Sequence, residues 1–272
     1  MTEPRPAWSA AFAPEALQTL DPVGALETFT AEWAWGDSTG KGVRVAVIDS
    51  GIDETHPAIG GRLSGYVAIG EGADGFVYDT SPHSDDYGHG TACAGIIRAA
   101  APDCELYSVK VLGPQLSGRG TVFVAGLRWT IDNGMHLCNL SLGTTKREYF
   151  GVLHELADVA YFRNIPLVTA ANNMPFPSFP SVFSSVISVA AFEGFDARRY
   201  YYNPQPPVEF GAPGINVRVA WLGGQWINAT GNSFAAPHIA GLATKILGKH
   251  PKLTIFQLKT VLRALAANVV RP

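Results

Sequence analysis

The sequence predicts an α/β fold of three layers, a mostly parallel central sheet with helices on both faces. Two observations carry this. Five short aliphatic runs lack the polar alternation of half-exposed strands, and segments of helical length separate most of them, bounded by turn residues. VRVAVI (43–48), ELYSVKVL (105–112), MHLCNLSL (135–142), IPLVTAA (165–171) and VISVAA (186–191) read as strands buried on both faces. Helices are expected over 90–100, 121–133, 151–163, 233–247 and 254–266. In the last, Ile255, Phe256, Leu258, Val261, Leu262 and Leu265 recur at helical spacing and give one apolar stripe. Open sheets of this kind bind ligands at the carboxyl ends of their strands, so the chemistry is expected there.

A chain of 272 residues can enclose one large core, and a second independent domain would be cramped. Residues 1–40 carry Pro4, Pro6, Pro14 and Pro22 with three tryptophans and no long periodic pattern. They read as an irregular arm packed on a single domain of residues 41–272. A formal charge of −3 gives no reason to expect nucleic acid or an anionic membrane as partner, since both demand clustered positive charge. No apolar run follows a basic start, and none reaches the length of a membrane span, so a cytoplasmic location is expected. Cys93, Cys104 and Cys138 fit free thiols in a reducing compartment and match no zinc spacing; one disulfide plus one thiol stays open.

Three segments carry chemistry. VRVAVIDSGID (43–53) ends an apolar strand in Asp49, where a carboxylate is placed to orient a histidine and stabilise its imidazolium. Taken alone, such an Asp more often starts a turn. GHGTACAG (88–95) sets His89 at a helix start between Gly88 and Gly90, which permit close backbone approach and let the ring face a cleft as general base. GNSFAAPHIAGL (231–242) puts Ser233 at the beginning of a helix. There it is either an N-cap or a nucleophile whose developing oxyanion the helix's positive end favours. Asp, His, Ser is one of the chain orders in which convergent catalytic triads occur.

Together the three segments resemble the signatures of the subtilisin-like serine peptidases, the subtilase superfamily: D-S/T-G around the acid, H-G-T around the base and G-T-S-x-A-x-P-H around the nucleophile. The resemblance runs from about residue 41 to the end and includes SLG (141–143). It implies the three-layer subtilisin-like fold and peptide-bond hydrolysis through an acyl-enzyme. It also implies an oxyanion donor in IPLVTAANN (165–173), with Asn173 the best match and Asn172 the runner-up. The substrate it implies is an extended peptide or protein segment, paired by backbone with Ser141, Leu142 and Gly143 on one side and with Leu116, Ser117, Gly118 and Arg119 on the other. Ala170, Ala171 and Asn172 would wall the pocket for the residue before the scissile bond.

Departures from the family pattern bear on metal and specificity. The strong calcium site of secreted subtilisins is expected to be absent, because Ala58 follows Pro57 and the helix after His89 runs almost directly into Ala101 and Pro102 without a ligand loop. No cofactor is required. A weak cation site using Asp196 with carbonyls near Ser184 and Val186 resembles one in proteinase K-like members, although an exposed loop Asp is the simpler reading. Cys93 lies four residues beyond His89, on the same helix face and beneath the base. Ala92, Asn232 and Phe234 replace residues common in the motifs. Narrow specificity, such as maturation of a precursor, is the expected setting. A peptide ligase of the same family and a non-catalytic peptide-binding module are the alternatives; a dinucleotide enzyme is excluded because no G-x-G-x-x-G follows the first strand.

Overall fold

The computed structural model describes residues 6–7, 9–17 and 29–270. The rest of the expected arm, residues 1–5, 8 and 18–28, lies outside the described residues, as do 271–272. Strand β1 (Arg44–Asp49) is central, and its neighbours are β4 (Glu105–Lys110) and β5 (Leu137–Leu140), both parallel to it. Beyond β4 lies β2 (Leu63–Gly72), closed by the antiparallel edge strand β3 (Gly75–Asp79). Beyond β5 come β6 (Leu167–Ala170), β7 (Ile187–Phe192) and β9 (Phe210–Pro213), with the short antiparallel β8 (Tyr201–Tyr202) at the other edge. The sheet order is β3-β2-β4-β1-β5-β6-β7-β9-β8. A separate antiparallel ribbon pairs β10 (Val217–Trp221) with β11 (Gln225–Ala229).

Burial explains why the central runs read as unbroken apolar segments. Successive side chains of β1 point to opposite faces, and both faces are covered. Val45 and Val47 enter a core shared with α2 (His89–Ala100), α5 (Asn232–Lys249) and α6 (Ile255–Leu265). Ala46 and Ile48 enter the opposite core, filled by α3 (Gly120–Asp132) and α4 (Phe150–Phe162). All five expected strands and all five expected helices are present. Phe256 departs from the reading of α6: it is 69% exposed, while Ile255, Leu258, Val261, Leu262 and Leu265 form the buried stripe. Thr254 and Gln257 begin this helix with a capping box.

The described part of the arm is not wholly irregular. It holds a 3-10 turn at Ser9–Phe12 and a short helix α1 (Ala31–Ala34) capped by the Thr30 hydroxyl. Phe12 is buried in a satellite core with Ala171, Ala190, Phe192, Tyr201 and Val208. The Ala7 N–H donates to the Asn173 carbonyl, which joins the arm to the carboxyl end of β6.

Two glycines shape the start of α2, and Gly90 sets how closely that helix approaches β1. Gly88, the N-cap, has φ +110°, and a Cβ on Gly90 would stand 2.0 Å from the Gly51 carbonyl oxygen and 3.0 Å from Asp49 Cβ. Gly90→Ala is expected to cost about 3 kcal/mol or more of stability by overpacking, read as a lower midpoint in urea with an unchanged slope.

Candidate active site

Asp49 is the last residue of β1, and its carboxylate is fully buried. Both oxygens face His89 Nδ1, at 2.8 and 2.9 Å. The Ser50 N–H donates to Asp49 Oδ1 at 2.8 Å, fixing the carboxylate in its plane. This arrangement leaves Nε2 as the ring nitrogen available to a reacting group. Burial alone would lower the His89 pKa, but the charge and hydrogen bonding of Asp49, with a smaller contribution from Asp85, outweigh it and raise the pKa above the ordinary histidine value.

Asp85 escaped the sequence reading. It is 6% exposed and sits four residues before His89, ahead of the helix. Its Oδ1 accepts the N–H groups of Tyr87 and Gly88 and the Ser50 hydroxyl, and its Oδ2 accepts the N–H and hydroxyl of Thr91. One carboxylate therefore satisfies donors at the N-terminus of α2 and holds the residue beside Asp49. The signal available in the sequence was an acid just before a helix start, which is common on surfaces and uninformative without the fold.

Ser233 stands in the first turn of α5. Pro237, four residues on, has no N–H, so the Ser233 carbonyl cannot make its ordinary helical bond. It accepts instead from the Ser141 hydroxyl at 2.8 Å and from the Cys93 thiol at 3.5 Å, tying the Ser233 backbone to the end of β5 and to α2. Asn139 Nδ2 donates to Ser141 Oγ at 3.0 Å and completes this buried chain. The Ser233 hydroxyl itself donates to the Ser141 carbonyl at 3.0 Å. His89 and Ser233 line one cavity of about 350 Å³. Cys93 lies beneath the base as its helical spacing implies; burial, then the Asp49 charge, pushes its thiol well above the usual range, so it is no nucleophile.

The two asparagines after β6 are distinguished by their bonds. Asn172 spends its Oδ1 on the N–H of Met174, a local turn. Asn173 accepts the N–H of Asn232 on its Oδ1 at 2.8 Å, and the Asn173 side chain borders the cup that Ser233 lines. With the oxygen so occupied, the amide nitrogen is the end left to face a ligand. Asn232, fully buried, is a hub that the sequence reading noted only as a motif change. Its Nδ2 reaches the carbonyls of Ala7, Ala171 and Asn172 at 3.0–3.2 Å, and its Oδ1 accepts the N–H of Ala191 at 2.8 Å.

The remaining expected positions fall on two sides of Ser233. Leu116, Ser117, Gly118 and Arg119 border the 350 Å³ cavity, and Ala170, Ala171, Asn172 and Asn173 border a second of about 360 Å³. Ser141, Leu142 and Gly143 belong to both. Arg119 also binds Glu71 of β2, which anchors its wall to the hairpin.

The residues at the expected metal positions fit a cation poorly. Ala58 and the end of α2 border a space with Arg62, Arg98 and Lys245. The Ser184 carbonyl accepts from Lys259 Nζ at 2.8 Å, and the same ammonium pairs with Glu209 at 2.8 Å. Asp196 is exposed and takes the Arg198 N–H at 2.9 Å. An ammonium therefore already stands at one of the carbonyls a weak cation site would use.

Comparison with known proteins bears on the family of the chain. The chain is 34% identical over 244 residues to the thermostable alkaline protease of Halalkalibacterium halodurans, covering 86% of this chain and 64% of that protein. It is 33% identical to subtilisin Savinase of Lederbergia lenta, covering 85% of this chain and 86% of that one, and 33% identical to subtilisin E of Bacillus subtilis, covering 84% and 61%. It thus spans less than two thirds of the length of the alkaline protease and of subtilisin E. A cold adapted subtilisin-like serine proteinase superposes with a TM-score of 0.64 at 25% identity, covering 82% of this chain and 81% of that one. The model of the subtilase family matches residues 40–271, and the chain belongs to that family.

Proposed function

We propose that the protein is a serine endopeptidase that cleaves extended peptide segments through an acyl-enzyme. The observation that carries this reading is the buried Asp49 carboxylate held on His89 Nδ1 at 2.8 and 2.9 Å, in a cleft that Ser233 also lines. Rotation of the Ser233 hydroxyl away from the Ser141 carbonyl presents its proton to His89. His89 takes that proton as Ser233 Oγ attacks the scissile carbonyl, and Asp49 stabilises the imidazolium. The Asn173 amide and the Ser233 N–H at the start of α5 receive the oxyanion. His89 then protonates the leaving amine, and water attacks the acyl-enzyme by the same route in reverse. No step needs a metal or cofactor.

The substrate's backbone would pair with Ser141–Gly143 and with Leu116–Arg119. The pocket beside Ala170, Ala171 and Asn172 is rimmed by Thr144, Lys146 and Ser178. A cup that mixes Leu142, Ala170 and Ala171 with hydroxyls and one ammonium at its edge would favour a polar or acidic side chain before the scissile bond through that ammonium. That preference supports a narrow processing role. A reducing, cytoplasmic setting is proposed from three free and buried thiols. Among the described residues no helix is long and apolar enough to cross a membrane.

A serine-directed fluorophosphonate should label the protein, and Ser233→Ala should abolish labelling; a folded wild type that stays unlabelled overturns the activity. Peptide-library cleavage read by mass spectrometry should show Asp, Glu or polar residues before the cut, and a preference for Phe or Leu there would refute the pocket reading. Asn173→Ala should lower kcat by about 10²–10³ with little change in KM, while Asn172→Ala should leave kcat within a few-fold.

Because acylation needs neutral His89, activity should rise with pH through a pKa above that of free histidine. Asp85→Asn removes a negative charge that stabilises the imidazolium, so the acid limb of kcat/KM should move to lower pH.

A further inference from the structure

A cavity of about 780 Å³ lies away from the catalytic cleft, between α2, α5 and the β10–β11 ribbon. Its floor is apolar and small, formed by Ala58, Gly95, Ile96, Ala99, Val219 and Ala220. Five cations border it, Arg62, Arg98, Arg198, Arg218 and Lys245, and no carboxylate does. In a chain of net charge −3 this is a local excess of positive charge.

The partners of these cations decide what the cavity can bind. Arg98 is buried and fixed, its guanidinium spent on the carbonyls of Arg62, Pro102 and Cys104. Arg62 pairs with Asp103 at 3.6 Å on the outer rim. Among the described residues, Arg198, Arg218 and Lys245 have no carboxylate within ion-pair distance. Arg218 lies over the Trp226 ring at 4.8 Å, which orders the guanidinium without neutralising it. Burial first, and then the charge of Arg198, lowers the Lys245 pKa, with the carboxylate of Asp37 opposing the shift more weakly, so the two cations feel one another and are only partly offset. His238 also borders the cavity, and burial holds its ring neutral, with a pKa near 4. Like charges gathered around an apolar floor repel, and a bound anion relieves that repulsion while its apolar part covers the floor.

We propose that this cavity is a binding site for a small organic anion, its phosphate or carboxylate group held by Arg198, Arg218 and Lys245 and its apolar body lying on the alanine floor. The volume is that of a small-molecule site. The lining belongs partly to α2 and α5, the helices whose first turns carry His89 and Ser233, yet Asp49, His89 and Ser233 do not themselves border the cavity. The proposal therefore stands apart from the proteolytic reading.

The test uses the full chain carrying Ser233→Ala, which prevents self-digestion, and isothermal titration at fixed ionic strength with 1-naphthyl phosphate, 1-naphthol and inorganic phosphate. The expected result is saturable one-to-one binding of 1-naphthyl phosphate with a Kd of about 100 µM or tighter. Naphthol and inorganic phosphate should each bind at least tenfold more weakly. Arg198→Glu with Lys245→Glu should weaken the ester at least tenfold. Should that double variant lose its far-UV circular dichroism, Arg218→Gln is the deciding variant and should weaken binding several-fold. Absence of saturable binding, or an unchanged Kd in the deciding variant, overturns the site. Naphthol binding as tightly as the ester overturns its anion selectivity, and inorganic phosphate binding as tightly overturns the apolar body.

Discussion

Two helices, α2 and α5, enter the same carboxyl edge of the sheet with their N-termini foremost, and the close fit between them and the strand ends governs everything else at that edge. Each helix brings unpaired N–H groups into a buried place, where an unmet donor costs about 1–3 kcal/mol. The chain meets this with side chains from outside the two helices. Asp85 covers the start of α2 and the Asn173 oxygen takes the Asn232 N–H; in addition the Ser141 hydroxyl donates to the Ser233 carbonyl that Pro237 leaves without a helical partner. The groups that would do chemistry are thus held by bonds whose first purpose is to satisfy the helix ends. Preorganisation at this edge follows from the same bonds that let the two helices be buried there.

Much of this was legible in the sequence, and the reasons differ by element. Strands β1, β4, β5, β6 and β7 announce themselves because both faces of the sheet are covered, which demands aliphatic runs. The β2–β3 hairpin escaped because it lies at an edge: all five residues of β3 are exposed, so no burial pattern marks it. The ribbon of β10 and β11 escaped for a similar reason, with most of its positions half-buried or exposed. Phe256 was drawn into the α6 stripe because periodicity counts apolar residues without knowing how wide the buried face is.

The site divides in the same way. Asp49, His89 and Ser233 could be named because each closes or opens an element and sits in a segment resembling a family signature. Asp85 could not, since an acid before a helix start marks nothing without the fold, and Asn232 could not, since its importance rests on bonds to residues as far away as Ala7, 225 positions earlier in the chain. Such contacts leave no local pattern. Asn172 and Asn173 likewise differ only in the coordinates: the Asn172 oxygen closes a local turn on Met174, while the Asn173 oxygen takes the Asn232 N–H.

The three thiols have a consequence of their own. Cys93, Cys104 and Cys138 are buried, and burial raises all three pKa values, Cys104 to about 11. At neutral pH the folded molecule offers almost no thiolate to an alkylating reagent, whereas an opened segment offers it at once. The three residues sit in different places, on α2 under the triad, just before β4, and within β5 facing α3. Each is a built-in clock for one region, and the order in which they react would trace how the molecule comes apart.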